Sequence, residues 1–278
     1  MNTVFLEELD ISYHRQQYAA FIGSANANTA AYFTHQSLQN HSLVVKNALN
    51  RAQTTAVMTA ENLSEQARYY ILYGVARRLG MMRVSYSDIL RCIATDRTEP
   101  LSSDEVVAVE RDLNIIYINV RGVLDNYAWC LLHEITTDKA RELAPMKVGL
   151  FSKDFMDDAN LANLKPKLSG FSAWHTDLKK RRDPVAHRIP LYVPPAFLNP
   201  AEQERYAALE REIYVAKTEQ CRNVLNAQQR KIGTFVPCFV HHPDEGGMEI
   251  YPTVPQDIAN LIKIAKLVHT IIDGAKGD

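Results

Sequence analysis

The segment LSSDEVVAVERDLNIIYINVRGVLDNYAWCLLHE, residues 101–134, decides the fold class. Ser102 and Glu105 have the spacing of a capping box, in which each side chain bonds an amide of the first helical turn. Apolar residues then recur at steps of three and four, the period of one helix face: Val106, Val109, Leu113, Ile116, Val120, Val123, Tyr127 and Leu131. The pattern predicts a helix of about seven turns that ends before Pro145. A helix of this length is typical of an antiparallel bundle.

Helical patterns cover most of the remaining chain. We expect helix in more than one piece across residues 29–79, with Ser64 as a cap, and a shorter helix within residues 161–180. Another helix is predicted to begin at Asn199, where a cap residue precedes a proline. Its apolar face contains Tyr206, Leu209, Ile213, Ala216 and Val224. The last helix is predicted after Pro255, with an apolar face of Ile258, Leu261, Ile262, Ala265 and Val268.

Residues 234–254, TFVPCFVHHPDEGGMEIYPTV, contain two β-prone runs around Asp-Glu-Gly-Gly. This arrangement predicts a β-hairpin that packs on the helices, with Pro237 on an edge or at a bulge. We therefore predict an all-α fold: an antiparallel helical bundle with a small C-terminal β-hairpin and a terminal helix. We expect one domain over residues 1–278, with residues 233–278 as the hairpin-plus-helix extension.

The composition limits the classes of partner. The chain has 278 residues, of which 46 % are hydrophobic, and its formal net charge is −1. A nucleic acid would therefore have to be bound by a local basic patch. The N-terminal sequence lacks the apolar core of a secretory signal, and no apolar run is long enough to span a bilayer, so we expect a cytoplasmic protein without membrane contact.

The four cysteines have no CxxC spacing, which predicts reduced thiols and no metal or cofactor: Cys92, Cys130, Cys221 and Cys238.

A basic segment, KKRRDPVAHRIPLYVPP, occupies residues 179–195. Cations at a helix C-terminus interact favourably with the helix dipole. Asp183 precedes a proline, which disfavours helical geometry at that residue. Pro190 would end any helical turn that begins after it. We therefore predict a break and a short new turn at Asp183 and Pro184. Such a break would aim Arg182 and His187 at a common point.

A guanidinium and an imidazole together meet the minimal requirement for cutting RNA without a metal. The guanidinium grips phosphate and stabilises its developing charge, and the imidazole transfers a proton near neutral pH. The arrangement Arg-x4-His, with a polar residue directly after the arginine, resembles the signature of the HEPN domain (higher eukaryotes and prokaryotes nucleotide-binding). In this chain Arg182, Asp183 and His187 match the motif, and Arg181 is an alternative because Arg181-x5-His187 also fits. Asp183 stands where asparagine is frequent, and Pro184 lies inside the motif.

The resemblance implies a helical bundle, a homodimer and metal-independent endoribonuclease activity, since many HEPN proteins cut RNA in toxin–antitoxin or phage-defence systems. His187 would then transfer the proton, Arg182 would hold the scissile phosphate, and Asp183 would orient one of them. The remaining cations would attract RNA, with binding that weakens as salt rises: Lys179, Lys180, Arg181 and Arg188. An antitoxin or defence protein is a further expected partner.

Two other interpretations remain open. The second is that the chain resembles those HEPN modules that do not cut RNA but bind nucleotide, RNA or a protein partner. In that case Lys179 and Lys180 matter more than His187. The third interpretation is a helical scaffold in which Arg182 and His187 are buried for stability. Under it, replacing either residue would lower the melting temperature strongly.

Several other polar residues are candidates for a functional site. Arg121 and Asp125 have the i, i+4 spacing of a surface ion pair. Asn126 or His133 would contribute to the site if the long helix faced it, although a structural role is favoured, and Thr137 stands where an HExxH zinc motif needs its second histidine. Adjacent histidines at 241 and 242 point to opposite faces of a strand and are a poor metal site. Trp174 and His175 precede the basic segment and have the chemistry to stack on a base.

Overall fold

The computed structural model describes residues 6–241 and 246–275. It is 74 % helical with a small two-stranded sheet, which confirms the predicted all-α class with a C-terminal hairpin. Its α-helices follow in chain order: α1 (Ile11–Ser24), α2 (Ala27–Ala60), α3 (Glu65–Tyr69), α4 (Arg77–Cys92), α5 (Ser103–Glu134), α6 (Asp138–Arg141), α7 (Lys153–Met156), α8 (Lys165–Ser169), α9 (Ser172–His187), α10 (Pro200–Val215), α11 (Glu219–Gln229) and α12 (Ile250–Gly274).

Helix α5 lies at the centre of the bundle, where it packs against α4, α9 and α12. Its predicted capping box is present, because the Ser102 hydroxyl accepts from the Glu105 amide at 3.3 Å and the Glu105 carboxylate accepts from the Ser102 amide at 2.8 Å. The predicted apolar face is buried except at Val106, which is partly buried. This face therefore holds α5 in the core and fixes which of its side chains can reach a neighbouring helix.

The predicted helical region 29–79 consists of two rods. The first is α2, and the second joins α3, a π-helical stretch Tyr70–Ala76 and α4 without interruption, so it extends to Cys92. Ser64 is the residue before α3, but its side chain makes no capping bond. The Arg68 guanidinium bonds three carbonyl oxygens at the end of α2 instead, those of Ala60, Glu61 and Leu63.

The C-terminal helices differ from prediction at their ends. Asn199 caps α10 as predicted, in a capping box with Glu202, but α10 ends at Val215 and Val224 belongs to α11. The Thr218 hydroxyl accepts from the Cys221 amide and so begins a new helix there. Helix α12 spans Ile250–Gly274 with extended backbone at Tyr251, so its regular part begins before Pro255 rather than after it. Its predicted apolar face is buried, and α12 packs on α2 and α5 in the same core.

The hairpin consists of β1 (Cys238–Phe239) and β2 (Met248–Glu249), paired antiparallel with Cys238 opposite Glu249. Residues 242–245, which include part of the predicted turn, lie outside the described residues. Isolated bridges join Tyr192 to Val240 and Phe197 to Thr234. The segment that follows α9 is thereby attached to the hairpin, and this attachment fixes the direction in which the chain leaves α9. The division into a domain and an extension stays a prediction.

No described helix is both long and apolar enough to cross a membrane. All four cysteines are free, and Cys221 is exposed whereas Cys130 and Cys238 are buried.

Candidate functional site

Helix α9 runs without interruption from Ser172 to His187, which corrects the predicted break at Asp183 and Pro184. A proline at this position removes the amide that would bond the Lys180 carbonyl. Lys180 is exposed, so water can replace that bond. The helix ends at His187, three residues after Pro184, and the Arg188 amide donates to the Pro184 carbonyl at 2.8 Å.

Arg182 and His187 converge although no break redirects them. Nη1 of Arg182 lies 3.1 Å from Oδ1 of Asp183 and 3.5 Å from Nε2 of His187. Positions five apart on a helix are offset by about 140°, and the long arginine side chain spans that offset. Arg182 is partly buried and His187 is exposed. The result is a solvent-accessible imidazole beside a guanidinium whose position is fixed by a carboxylate.

Arg181 lies in the core, which corrects the prediction that it contacts RNA. Its Nη2 donates to Oδ1 of Asp257 on α12 at 2.8 Å, and the indole N–H of Trp174 donates to the same oxygen at 2.8 Å. The Arg181 guanidinium also lies 5.8 Å from the ring centre of Tyr117. Because Arg181 is enclosed in this way, Arg182 is the motif arginine that substrate can reach.

The other predicted cations are exposed at the end of α9. Lys179, Lys180 and Arg188 all face solvent. Lys180 pairs with Asp177 at 2.9 Å, so part of its charge is neutralised. The charge of Lys179 lies close enough to His175 to lower the pKa of that imidazole. Lys179 is therefore the lysine directed towards the rest of the site.

Arg121, Asp125 and His175 form the part of the site between α5 and α9. Nη2 of Arg121 lies 3.2 Å from Oδ1 of Asp125, and Nη1 of the same guanidinium contacts Nε2 of His175. The His175 ring stacks on Phe151 with the ring centres 4.1 Å apart and 9° between the planes. The predicted surface pair is therefore joined to α9 by a histidine.

Arg78 on α4 completes the site from a third helix. Its Nη1 donates to Oδ1 of Asn119 at 3.0 Å. Its guanidinium lies over the backbone of α5, because a Cβ added to Gly122 would stand only 2.6 Å from the Arg78 Cζ. Only a glycine at position 122 leaves room for this arrangement.

The pKa values show how these groups interact. Burial raises the pKa of the Asp125 carboxyl, whereas Arg121, Arg182 and Arg78 lower it by their charges. Burial lowers the pKa of His175 to about 4, and the charges of Arg121 and Lys179 act in the same direction. His175 is thus neutral at pH 7, and its Nε2 accepts from Arg121. Positive charge around Asp125 is supplied by three helices.

Sequence reasoning missed Arg78 and the link from Arg121 to His175. One signal was present: His175 and Arg182 are seven residues apart, which places them on the same face of a helix. The spacing of Arg121 and Asp125 predicted their pairing but not their neighbour across the interface. Nothing in the local sequence around Arg78 indicates which part of α5 it covers.

The remaining candidates have structural contacts. Asn126 donates to the Gly122 carbonyl within α5, and His133 stacks on Tyr70 with ring centres 5.5 Å apart. Position 242 lies outside the described residues, so the histidine pair cannot be described there. Within residues 6–241 and 246–275, no group of three or more His, Cys, Asp or Glu side chains could hold a metal ion.

Comparison with known proteins adds no relative. No family model matches the chain, and neither a curated protein nor a solved structure is similar to it. Only the motif and the geometry of the site therefore bear on the function of this chain.

Proposed function

We propose that this chain is a metal-independent endoribonuclease of the HEPN type. The observation that carries the proposal is the 3.5 Å approach of Arg182 Nη1 to His187 Nε2 at the exposed end of α9. This pair supplies one group that transfers a proton and one that stays positively charged, which is the chemistry that RNA cleavage requires. The motif Arg182, Asp183 and His187 supports the same proposal.

In the proposed reaction, neutral His187 accepts the proton of a ribose 2′-hydroxyl. The 2′-oxygen attacks the adjacent phosphorus, and the bond from phosphorus to the 5′-oxygen breaks. The leaving 5′-oxygen takes a proton from water, and protonated His187 returns its proton to the solvent. The products are a 2′,3′-cyclic phosphate and a 5′-hydroxyl. Arg182 stabilises the negative charge that develops on the phosphoryl oxygens. Asp183 is a positioning residue, because it holds the Arg182 guanidinium at 3.1 Å.

The surroundings favour RNA over a neutral substrate. Lys179, Lys180 and Arg188 are exposed close to the pair in sequence, and Arg121 on α5 contacts His175 of α9. The proposal includes a homodimer, a cytoplasmic location and a role as a toxin or phage-defence effector with a cognate protein partner. These features follow from the resemblance to HEPN proteins rather than from the geometry of one chain.

Cleavage of total RNA in excess EDTA tests the proposal. We expect the wild-type protein to cut RNA and leave 2′,3′-cyclic phosphate ends. His187→Ala should lower the rate by about 10²- to 10⁴-fold, since it removes the proton-transfer group. His35→Ala changes a histidine on α2 and serves as the matched control. Equal cleavage by wild type and His187→Ala would overturn the catalytic assignment.

One observation favours a non-catalytic module that binds nucleotide, RNA or a protein partner. Asp183 pairs with Arg182 and offsets its charge, which weakens the grip of that guanidinium on a scissile phosphate. Under this alternative, Lys179→Glu with Lys180→Glu abolishes RNA binding, whereas His187→Ala leaves it unchanged. Filter binding of the two variants beside wild type separates the alternatives.

A further inference from the structure

One carboxylate in the site pairs with one guanidinium and lies within the electrostatic reach of two more, each from a different helix. Arg121 pairs directly with Asp125 at 3.2 Å. Arg182 on α9 and Arg78 on α4 are close enough for their charges to act on the same carboxyl. Asp125 is partly buried, and so are all three arginines. Arginines held together in this way repel one another unless an anion lies among them.

The positive charge exceeds the negative charge available to it. Asp125 pairs with Arg121, and Asp183 pairs with Arg182. Arg78 donates to the neutral amide of Asn119 and forms no ion pair with a carboxylate in the described ranges. Lys179 adds a further charge near His175, which is itself neutral. An additional anion would therefore be bound favourably here.

The absence of a side chain at Gly122 is a second, independent observation on the position of Arg78. The Arg78 guanidinium occupies the space that a side chain at position 122 would fill, with Cζ and Nε each 2.6 Å from an added Cβ. Glycine within a helix is less favourable than alanine, so its presence there is explained by the close approach of Arg78. The approach places the Arg78 guanidinium against α5 at Gly122, three residues before Asp125, whose carboxyl its charge reaches.

We propose that Arg78, Arg121 and Lys179 form a phosphate-binding subsite beside the Arg182–His187 pair. In RNA the subsite holds a phosphodiester next to the one that is cut, and Asp125 acts as the internal anion that keeps the arginines in place when RNA is absent. Guanidinium groups suit this role, because their fixed donors match the oxygens of phosphate. The assignment of RNA as ligand rests on the proposed function; phosphate binding itself does not.

Binding of a short 2′-O-methyl RNA tests the subsite separately from cleavage, since this RNA lacks the attacking hydroxyl. Arg78→Gln should weaken binding roughly tenfold, the effect of losing one charge-assisted hydrogen bond. It should also reduce the slope of log K against log salt by about 0.7, the value for one phosphate contact of a single strand. Asp125→Asn should tighten binding by about two- to fivefold, because it removes the competing anion.

Arg77→Gln is the matched control for Arg78→Gln, and Gly23→Ala is the matched control for a second test variant, Gly122→Ala. Arg77→Gln removes the same charge one residue away, from a guanidinium that lies 4.5 Å from the Tyr73 ring centre, and should leave the salt slope unchanged. Gly122→Ala changes no charge but displaces Arg78, so it should weaken binding as Arg78→Gln does. Gly23→Ala on α1 adds a methyl group that meets nothing within 4 Å and should have no effect. Thermal melting of each variant verifies that it is folded.

The outcomes are distinct. Weaker binding by Arg78→Gln and Gly122→Ala but not by their controls supports the subsite, whether or not His187→Ala affects cleavage. If inorganic pyrophosphate shows this dependence and the RNA does not bind, the phosphate site stands and RNA as its ligand is wrong. Equal binding by wild type, Arg78→Gln and Arg77→Gln, or no binding of either probe, overturns the proposal.

Discussion

Arg181 and Arg182 are consecutive in sequence but lie in opposite environments. Arg181 is enclosed by Asp257, Trp174 and Tyr117. Asp257 accepts hydrogen bonds from Arg181 and from Trp174. Arg182 reaches the surface of α9 towards His187. A helix turns by about 100° per residue, so one of two adjacent side chains can face the core while the other faces solvent. One of these arginines therefore serves stability, and the other is available for chemistry.

Replacing Asp257 should destabilise the protein far more than replacing Arg182. Asp257→Ala leaves Arg181 buried and charged, because a guanidinium does not lose its proton, and we expect a loss of about 3–5 kcal/mol in the free energy of unfolding. Arg182→Ala removes a partly exposed pair and should cost less than about 1 kcal/mol. Urea denaturation of both variants measures the difference. Similar losses would mean that Arg181 does not depend on Asp257.

At the scale of elements, the π-helical stretch Tyr70–Ala76 packs closely against α5. A Cβ added to Gly74 would stand 2.8 Å from the Asn126 Cβ and closer still to its amide group. Asn126 in turn donates to the Gly122 carbonyl, so it is held against the helix and has little freedom to move. The contact sets the spacing of the two helices that carry Arg78 and Arg121.

We expect Gly74→Ala to destabilise the protein by about 1–3 kcal/mol, the usual cost of overpacking a close contact. The matched change Gly23→Ala lies in α1 with open space around it, and it should be neutral or stabilising by up to about 1 kcal/mol. Chemical denaturation of the two variants gives the comparison. A Gly74→Ala protein as stable as wild type would show that the helices separate easily at this point.

The elements were predictable where one local rule acts alone. The apolar face of α5, the capping box at Ser102 and the cap at Asn199 depend on spacing within one segment, and they are present. The end of α9 was not predictable, because the effect of Pro184 depends on whether water reaches the carbonyl that it leaves free. The pairing of Arg121 with His175 joins residues 54 apart, and that of Arg181 with Asp257 joins residues 76 apart. Such pairings depend on how the helices pack, which periodicity does not specify.

At the scale of the whole molecule, the near-neutral net charge conceals an uneven distribution. The formal net charge is −1, yet cations from α4, α5 and α9 meet in one region. Two buried histidines elsewhere in the core are neutral at pH 7, because burial lowers the pKa of each. His41 donates from Nε2 to the Leu9 carbonyl at 2.9 Å, because a carbonyl oxygen can only accept. His269 contacts the hydroxyls of Thr59 and Tyr127 at 3.1 and 2.9 Å.

These buried histidines make global stability dependent on pH. Burial lowers the pKa of both His41 and His269 to about 4, from an ordinary value near 6.5 in the unfolded chain. Between these pH values the unfolded state binds more protons than the folded state, so the free energy of unfolding falls as pH falls. The stabilisation is complete above pH 6.5 and is lost progressively as the pH approaches 4.

We expect each of the two histidines to contribute a loss on the order of 3 kcal/mol between pH 7 and pH 4. Urea denaturation at a series of pH values measures the slope, and the double variant His41→Gln and His269→Gln should flatten it, because glutamine does not titrate. Glu105 supplies a separate effect at lower pH: burial raises its pKa, but bonds from Arg97, Ser102 and Arg230 lower it to about 2, so its contribution is lost only below pH 4.5. An unchanged slope in the double variant between pH 6.5 and 4.5 would show that other groups control acid stability.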